Sequence, residues 1–207
     1  MARPDFSDCV AHFTKSTSPC SGDMGNMPAT ALERLIQILS QGTIKASTMP
    51  WTNKDAVCFT ECPFYSMFEH KENYSAYGLG FKKKTVYNSG GGPAIYMRQN
   101  VHDAQLNNFA MNSNSTIKGF HKDVYAFVTP FRPSYGTYSP KCDYTSEREW
   151  RTPQSFTFSV DDIEFITVQS YSDVATITSI VHSVSQEKFL IFDMIEKIET
   201  LWPTHKI

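Results

Sequence analysis

Residues 30–44 read TALERLIQILSQGTI, and this stretch sets the frame for the rest of the chain. Leu32, Leu35, Ile36 and Leu39 recur at i, i+3, i+4 and i+7, which puts them on one apolar stripe and predicts a helix over Ala31–Gln41. Both ends are marked. Thr30 followed three residues later by Glu33 forms a capping box, in which each side chain satisfies the other residue's free backbone N–H. Gly42 can take the left-handed conformation that ends a helix. Thr43 to Ser47 then continues as a short extended piece.

Working outward, Ala56 to Thr60 has β-type composition and stops before Cys62-Pro63, where proline bars a central strand. Tyr77 to Lys82 and Ala94 to Arg98 read as two paired strands, separated by the loop Asn88-Ser89-Gly90-Gly91-Gly92-Pro93. Residues 99–122 are rich in Asn, Ser and Gln and are expected to be a mobile insertion, with some helix around Val101 to Met111. Asp123 to Pro130 reads as a strand. Phe131 to Arg151 is a long irregular segment of the kind that carries function inside a compact domain. Phe156 to Val168 is extended again, broken at Asp161-Asp162. A second amphipathic helix is expected from about Gln186 to Leu201, with Phe189, Phe192, Ile195, Ile198 and Trp202 three or four apart. The pattern is α+β, with no internal repeat and no linker, so residues 1–207 read as a single domain.

Composition narrows the class. The chain has 207 residues, 19 Lys+Arg against 21 Asp+Glu, 41% hydrophobic residues and five cysteines. A chain of this length buries roughly 70% of its unfolded surface, so a hydrophobic core suffices without disulfides or metal. The net charge of −2 argues against holding nucleic acid by bulk charge, although a local basic patch is compatible with it. No run approaches a membrane span, and the first eight residues lack a signal-peptide core, which leads to the expectation of a cytoplasmic protein without membrane association. Cys9, Cys20, Cys58, Cys62 and Cys142 contain no C-x-x-C pair, so they read as reduced thiols.

Three clusters could carry chemistry: His12-Phe13-Thr14, Val57 to Glu61, and Glu147-Arg148-Glu149-Trp150-Arg151. Taken singly, each also has a structural reading: a hydrogen-bonded strand histidine, a buried strand, or an ion-pair knot on a solvated face. Their order is more informative. A His-x-Thr, then the helix of residues 31–42, then a small-residue strand and a late Glu, resembles the NAD-dependent ADP-ribosyltransferases, loosely from His12 to about Val168. Within that superfamily the likeness is to the poly(ADP-ribose) polymerase and DNA-modifying toxin branches. A narrower resemblance rests on Ala56 to Glu61, Tyr77 to Lys83 and Glu147 to Arg151, which look like the AbiGi-type abortive-infection proteins of phage defence, whose family name carries the word antitoxin.

The transferase resemblance implies an α+β fold of two packed antiparallel or mixed sheets with flanking helices. It implies that His12 bonds a ribose of NAD, that the backbone of Phe13 grips the nicotinamide amide, and that Thr14 bonds the adjacent ribose. Glu149 is implied as the catalytic carboxylate, stabilising the positive charge that develops as the nicotinamide bond breaks, and Glu147 as general base or acceptor contact. On an extended chain residues two apart share a face, which is the physical expectation behind that pairing. The family's middle position is here Cys58-Phe59-Thr60, so Phe59 or Tyr77 would supply the stacking face and Thr60 would support the glutamate. Cys58 itself reads as core packing.

Tyr144, Arg148, Trp150 and Arg151 interleave aromatic and basic groups, a composition suited to stacking bases and neutralising phosphates. The resulting expectation is an ADP-ribosyltransferase toxin of a toxin–antitoxin or phage-defence system. It would use NAD as co-substrate and no metal, act on RNA or single-stranded DNA, and be neutralised by a cognate antitoxin. The alternatives are a non-catalytic antitoxin or sensor on the same fold, and an NAD glycohydrolase.

Overall fold

The computed structural model describes residues 7–16, 30–61, 71, 74–111 and 123–201. Helix α1 is Ala31–Gln41. Thr30 Oγ1 accepts from the Glu33 N–H while the Glu33 carboxylate accepts from the Thr30 N–H, so the capping box is formed on both sides. Gly42 ends the helix at φ 59°, a conformation in which a Cβ would also meet the Phe158 carbonyl at 2.9 Å. Ala31, Leu35, Ile38 and Leu39 are its buried residues, so the buried stripe includes Ile38 rather than Leu32 and Ile36.

The chain's contacts divide it into two compact units. The first unit takes Met1–Thr43, Pro63–Lys82 and Thr157–Ile207, and the second takes Ile44–Cys62 and Lys83–Phe156. Each is assembled from discontinuous segments, which is why no linker marks the division in the sequence.

In the first unit, β1 (Cys9–Phe13), β5 (Gly78–Lys82), β11 (Ile163–Val168) and β12 (Phe189–Ile191) form a four-stranded sheet in that order. β5 runs antiparallel to both β1 and β11, and β12 is parallel to β11. Val10, Leu79, Phe81, Ile163 and Ile166 are at most 1% exposed and make the sheet's core. Gly80 belongs to this packing. A Cβ there would lie 2.2 Å from the Phe165 ring, so the alternation of glycine with Leu79 and Phe81 lets an aromatic ring lie directly on the strand. Helices α4 (Tyr171–Ile180) and α5 (Phe192–Leu201) complete the described part of this unit.

In the second unit, β3 (Ser47–Thr48), β4 (Asp55–Phe59), β9 (Trp150–Thr152) and β6 (Gly92–Pro93) form an antiparallel sheet. A parallel pair, β7 (Ile95–Arg98) and β8 (Val128–Phe131), packs against helix α3 (Gln99–Met111), and helix α2 (Lys83–Asn88) belongs to the same unit. Strand β9 is central. Cys58 and Gly92 are the opposite neighbours of Arg151, and Phe59 and Pro93 those of Trp150. The two remaining strands, β2 (Thr43–Ile44) and β10 (Phe156–Thr157), form a two-stranded ladder.

The α+β class holds, and the described residues include two four-stranded sheets, one mixed and one antiparallel. Three local expectations need correction. The strands at 78–82 and 95–98 are not partners, because helix α2 intervenes and each pairs elsewhere. Residues 186–191 are a 3₁₀ turn and strand β12 rather than the start of the last helix, which begins at Phe192. Asp123 to Phe127 precede rather than belong to the strand, which is Val128–Phe131. Residues 99–111 of the expected insertion are helix α3, while 112–122, like Trp202, lie outside the described residues.

Candidate functional site

The chemistry of the second unit gathers at the start of β9. Arg151 is fully buried, and its guanidinium holds the Glu149 carboxylate with two parallel bonds, Nε to Oε1 at 2.9 Å and Nη2 to Oε2 at 2.7 Å. The remaining donors go to the Ala126 and Val128 carbonyls, at 3.2 and 3.0 Å, and to the Thr129 hydroxyl. A planar fork saturated in this way fixes the carboxylate in both position and plane. Glu149 retains 7% exposure.

The backbone of Glu149 is held as well. Its N–H donates to the Tyr96 hydroxyl at 3.2 Å, its carbonyl accepts from Ala94 N–H at 2.7 Å, and the Tyr96 hydroxyl donates to the Tyr144 carbonyl at 2.7 Å. Burial pushes the Tyr96 phenol well up from its ordinary value, so it keeps the proton this relay needs. Burial, followed by the negative charge of Glu149, likewise pushes the Cys58 thiol up. That keeps Cys58 neutral and supports its reading as core packing rather than nucleophile.

A second carboxylate, Glu61, lies in the same unit and is 8% exposed. It accepts from Trp150 Nε1 at 3.1 Å and pairs with Lys83 at 2.7 Å and, more distantly, with Arg148 at 3.9 Å. The Lys83 ammonium also lies 5.7 Å from the centre of the Trp150 ring. Glu61 stood inside the Val57 to Glu61 cluster in the sequence, but nothing in its spacing announced partners 22 and 89 residues away. Tyr96 and Thr129 carried no sequence signal.

Several of the predicted residues have other duties. Glu147 and Glu149 do not sit on one extended face. Glu147 ends a 3₁₀ turn, Thr145–Glu147, and Arg148 between them is left-handed at φ 45° and ψ 52°, so the period-two rule does not apply across it. A non-glycine residue in that region is uncommon, and here it re-aims the chain from the turn into β9. Thr60 supports this turn rather than the Glu149 side chain, its hydroxyl donating to the Glu147 carbonyl at 2.8 Å. Arg151 is not a phosphate contact, because it is fully buried and its donors are spent internally. Phe59, 2% exposed, packs edge-on against Phe156 with centroids 5.3 Å apart, so it is core rather than a stacking face for nicotinamide.

In the first unit, Thr14 is 2% exposed and its hydroxyl donates to the Ala31 carbonyl at 2.8 Å, joining β1 to α1 instead of offering a hydroxyl to ribose. Phe13 is buried opposite Gly78. His12 and Tyr77 are half-buried, and the Tyr77 hydroxyl donates to Asp173 at 3.3 Å. Burial, with the Asp173 charge, pushes Tyr77 up to about 12.

A cavity of about 510 Å³ opens elsewhere in the second unit, with Trp51 and Tyr144 among its walls. Among the described residues, no group of three or more His, Cys, Asp or Glu side chains is arranged to hold a metal ion. No described helix is long and apolar enough to cross a membrane.

Residues 27–186 match the family described as "Putative abortive phage resistance protein AbiGi, antitoxin". The chain belongs to the AbiGi family. No curated protein sequence matches this family member. Among solved structures it is similar to Thermus sp. 2.9 DarT in complex with NAD+, at 13% identity and a TM-score of 0.41 over 89% of this chain and 94% of that one. The carba-NAD+ complex of the same protein gives 14% identity and a TM-score of 0.41 over 92% and 97% of the two chains. The complex with ADP-ribosylated ssDNA gives 13% and 0.40 over 89% and 93%.

Proposed function

We propose that this AbiGi-family chain is an NAD-dependent ADP-ribosyltransferase that modifies single-stranded nucleic acid, with Glu149 as its catalytic carboxylate. The observation that carries the reading is the Glu149 carboxylate itself, fixed by the bidentate, fully buried Arg151 while keeping an accessible edge. Breaking the nicotinamide bond builds positive charge on the ribose, and a negative group already oriented before the reaction stabilises that charge without reorganising. Arg151 acts as a positioning residue, holding the carboxylate in place. Tyr96 sets the backbone at Glu149, and Thr60 sets the turn that carries Glu147.

Glu147 and Arg148 remain the proposed contacts to the acceptor, with half-buried Trp150 and Tyr144 as stacking faces. In the first unit, His12 and Tyr77 are the proposed NAD contacts. The biological role is that of a phage-defence effector restrained by a partner protein.

One observation favours a second reading. Both oxygens of Glu149 are already engaged by Arg151, as in a purely structural ion pair, and the family description contains the word antitoxin. A non-catalytic antitoxin or sensor satisfies both facts.

Incubating purified protein with NAD labelled in the adenylate portion, beside separate pools of RNA, single-stranded DNA and protein, separates the readings. Transfer of label to a nucleic-acid pool, reduced about 10²–10³-fold in Glu149→Gln, is the expected result. Free ADP-ribose without a labelled macromolecule identifies a glycohydrolase. Neither label nor nicotinamide release leaves the binding module.

A further inference from the structure

Trp51, which has no part in the proposed chemistry, is seated against the cation that holds Glu149. The Arg151 guanidinium carbon lies over its ring, 5.6 Å from the centroid. Trp51 Nε1 donates to the Val128 carbonyl at 2.9 Å, and the same oxygen accepts from Arg151 Nη1 at 3.0 Å. A carbonyl oxygen has two lone pairs and serves both. Indole and guanidinium are thus tied to one atom. The indole ring also meets Tyr144, with centroids 6.3 Å apart and planes tilted by 34°. The Tyr144 carbonyl accepts from the Tyr96 hydroxyl, which in turn receives the Glu149 N–H. Trp51 therefore borders both supports of Glu149, that of its side chain and that of its backbone.

The chain presents Trp51 on a braced turn between β3 and β4, which pair antiparallel with Thr48 opposite Asp55. Met49 N–H donates to the Lys54 carbonyl at 2.8 Å and Asn53 N–H to the Met49 carbonyl at 2.9 Å, so the connection closes on itself. Asn53 is left-handed at φ 52°, a conformation asparagine adopts more readily than most residues. The contact of the indole with Arg151 is electrostatic. Each N–H of the guanidinium already has an acceptor on Glu149, Ala126, Val128 or Thr129, so none is left to donate to the ring. Those bonds fix the planar fork, and the negative face of the indole attracts the cation as a whole. That attraction is strongest where water is excluded, and Arg151 is fully buried.

We infer that Trp51 is a positioning residue for Glu149, acting through Arg151. The indole holds the guanidinium, and the guanidinium holds the carboxylate. Because Trp51 acts only through that fork, its loss lowers turnover and leaves NAD binding unchanged. The inference rests on the reading of Glu149 as the catalytic carboxylate, but the fixation of Arg151 is measurable without any activity.

Two measurements on the full chain test it, using Trp51→Leu, Trp51→Phe and a protein with fluorinated tryptophan placed at position 51. Fluorine keeps the outline and the N–H of the indole and weakens its negative face. The first measurement is NMR of the Arg151 guanidinium protons. A held fork gives separate signals for its two Nη groups, and faster rotation about Cζ–Nε should broaden or merge them in Trp51→Leu and in the fluorinated protein. The second is nicotinamide release from NAD with single-stranded DNA. Here kcat should fall about tenfold in Trp51→Leu, the value of one desolvated cation–π contact, and less in Trp51→Phe and the fluorinated protein. KM for NAD should stay within about twofold of the wild type in all three. Circular dichroism checks folding, and where Trp51→Leu does not fold, the fluorinated protein decides. Unchanged Arg151 signals overturn the inference whatever happens to kcat. Unchanged kcat beside an active wild type, or a loss confined to KM, overturns it too and leaves the reading of Glu149 intact. No release by the wild type overturns that reading instead, and the Arg151 signals then decide whether Trp51 fixes the fork.

Discussion

Two carboxylates of the second unit are buried to nearly the same degree, Glu149 at 7% and Glu61 at 8%, yet they are held by different machinery. Glu149 faces one planar guanidinium that is itself fully buried, so carboxylate and fork form a single rigid unit. Glu61 faces an indole N–H, an ammonium whose side chain is 14% exposed and a guanidinium 40% exposed, drawn from two separate stretches of chain. Equal burial therefore does not mean equal fixation. Glu149 has the rigidity required of a group that must stand ready for developing charge. Glu61 instead gathers Trp150, Lys83 and Arg148 and can yield one partner without being stranded.

The difference is measurable by breaking each pair. Arg151→Leu strands a buried carboxylate and should cost about 3–5 kcal/mol in urea denaturation. Glu61→Gln keeps a hydrogen-bonding group and leaves its partners with access to solvent, so the expected loss is smaller, about 1–3 kcal/mol. A larger loss for Glu61→Gln than for Arg151→Leu would reverse the comparison.

A third substitution sharpens it. Arg148 carries the left-handed backbone between Glu147 and β9, and Arg148→Gly removes the steric cost of that conformation. Because its contact to Glu61 is long, 3.9 Å, and its own side chain is 40% exposed, the net change in stability should be a gain of about 0.5–1 kcal/mol, read by thermal melting. The least change is expected at Cys58. With its thiol pushed up by burial and by Glu149, it should resist iodoacetamide at pH 8, read by mass spectrometry, while an unfolded control is consumed. The sign for stability follows from the same shift. The folded thiol stays protonated above the ordinary value near 9, so stability is retained below that pH and declines above it as the unfolded thiol ionises.

Much of the architecture was legible wherever a local device writes it into the chain. Thr30, Glu33 and Gly42 mark both ends of α1, and Tyr77 to Lys82 has the composition of a strand, although the Phe165 ring that lies on Gly80 shows only in the fold. Helix α2 was hidden because Lys83-Lys84-Thr85-Val86-Tyr87-Asn88 has no apolar period. Strand β12 was absorbed into the final helix because Phe189 and Phe192 happen to be three apart. At the site, the motif drew attention to Glu149, whose catalytic role we propose, but the assignment of Arg151 to phosphate failed, since its partners Ala126, Val128 and Thr129 lie more than twenty residues away. The shared face of Glu147 and Glu149 failed for a local reason, the positive φ of Arg148, which no spacing rule anticipates.

The most direct measurement is nicotinamide release from NAD, in the presence of single-stranded nucleic acid, by wild-type protein and by Glu149→Gln at matched folded concentration. The expected result is release by the wild type that falls about 10²–10³-fold in the variant, because the amide keeps the shape of the carboxylate but not its charge. Equal rates in the two proteins, or no release by the wild type, would contradict the assignment of Glu149 as the catalytic carboxylate.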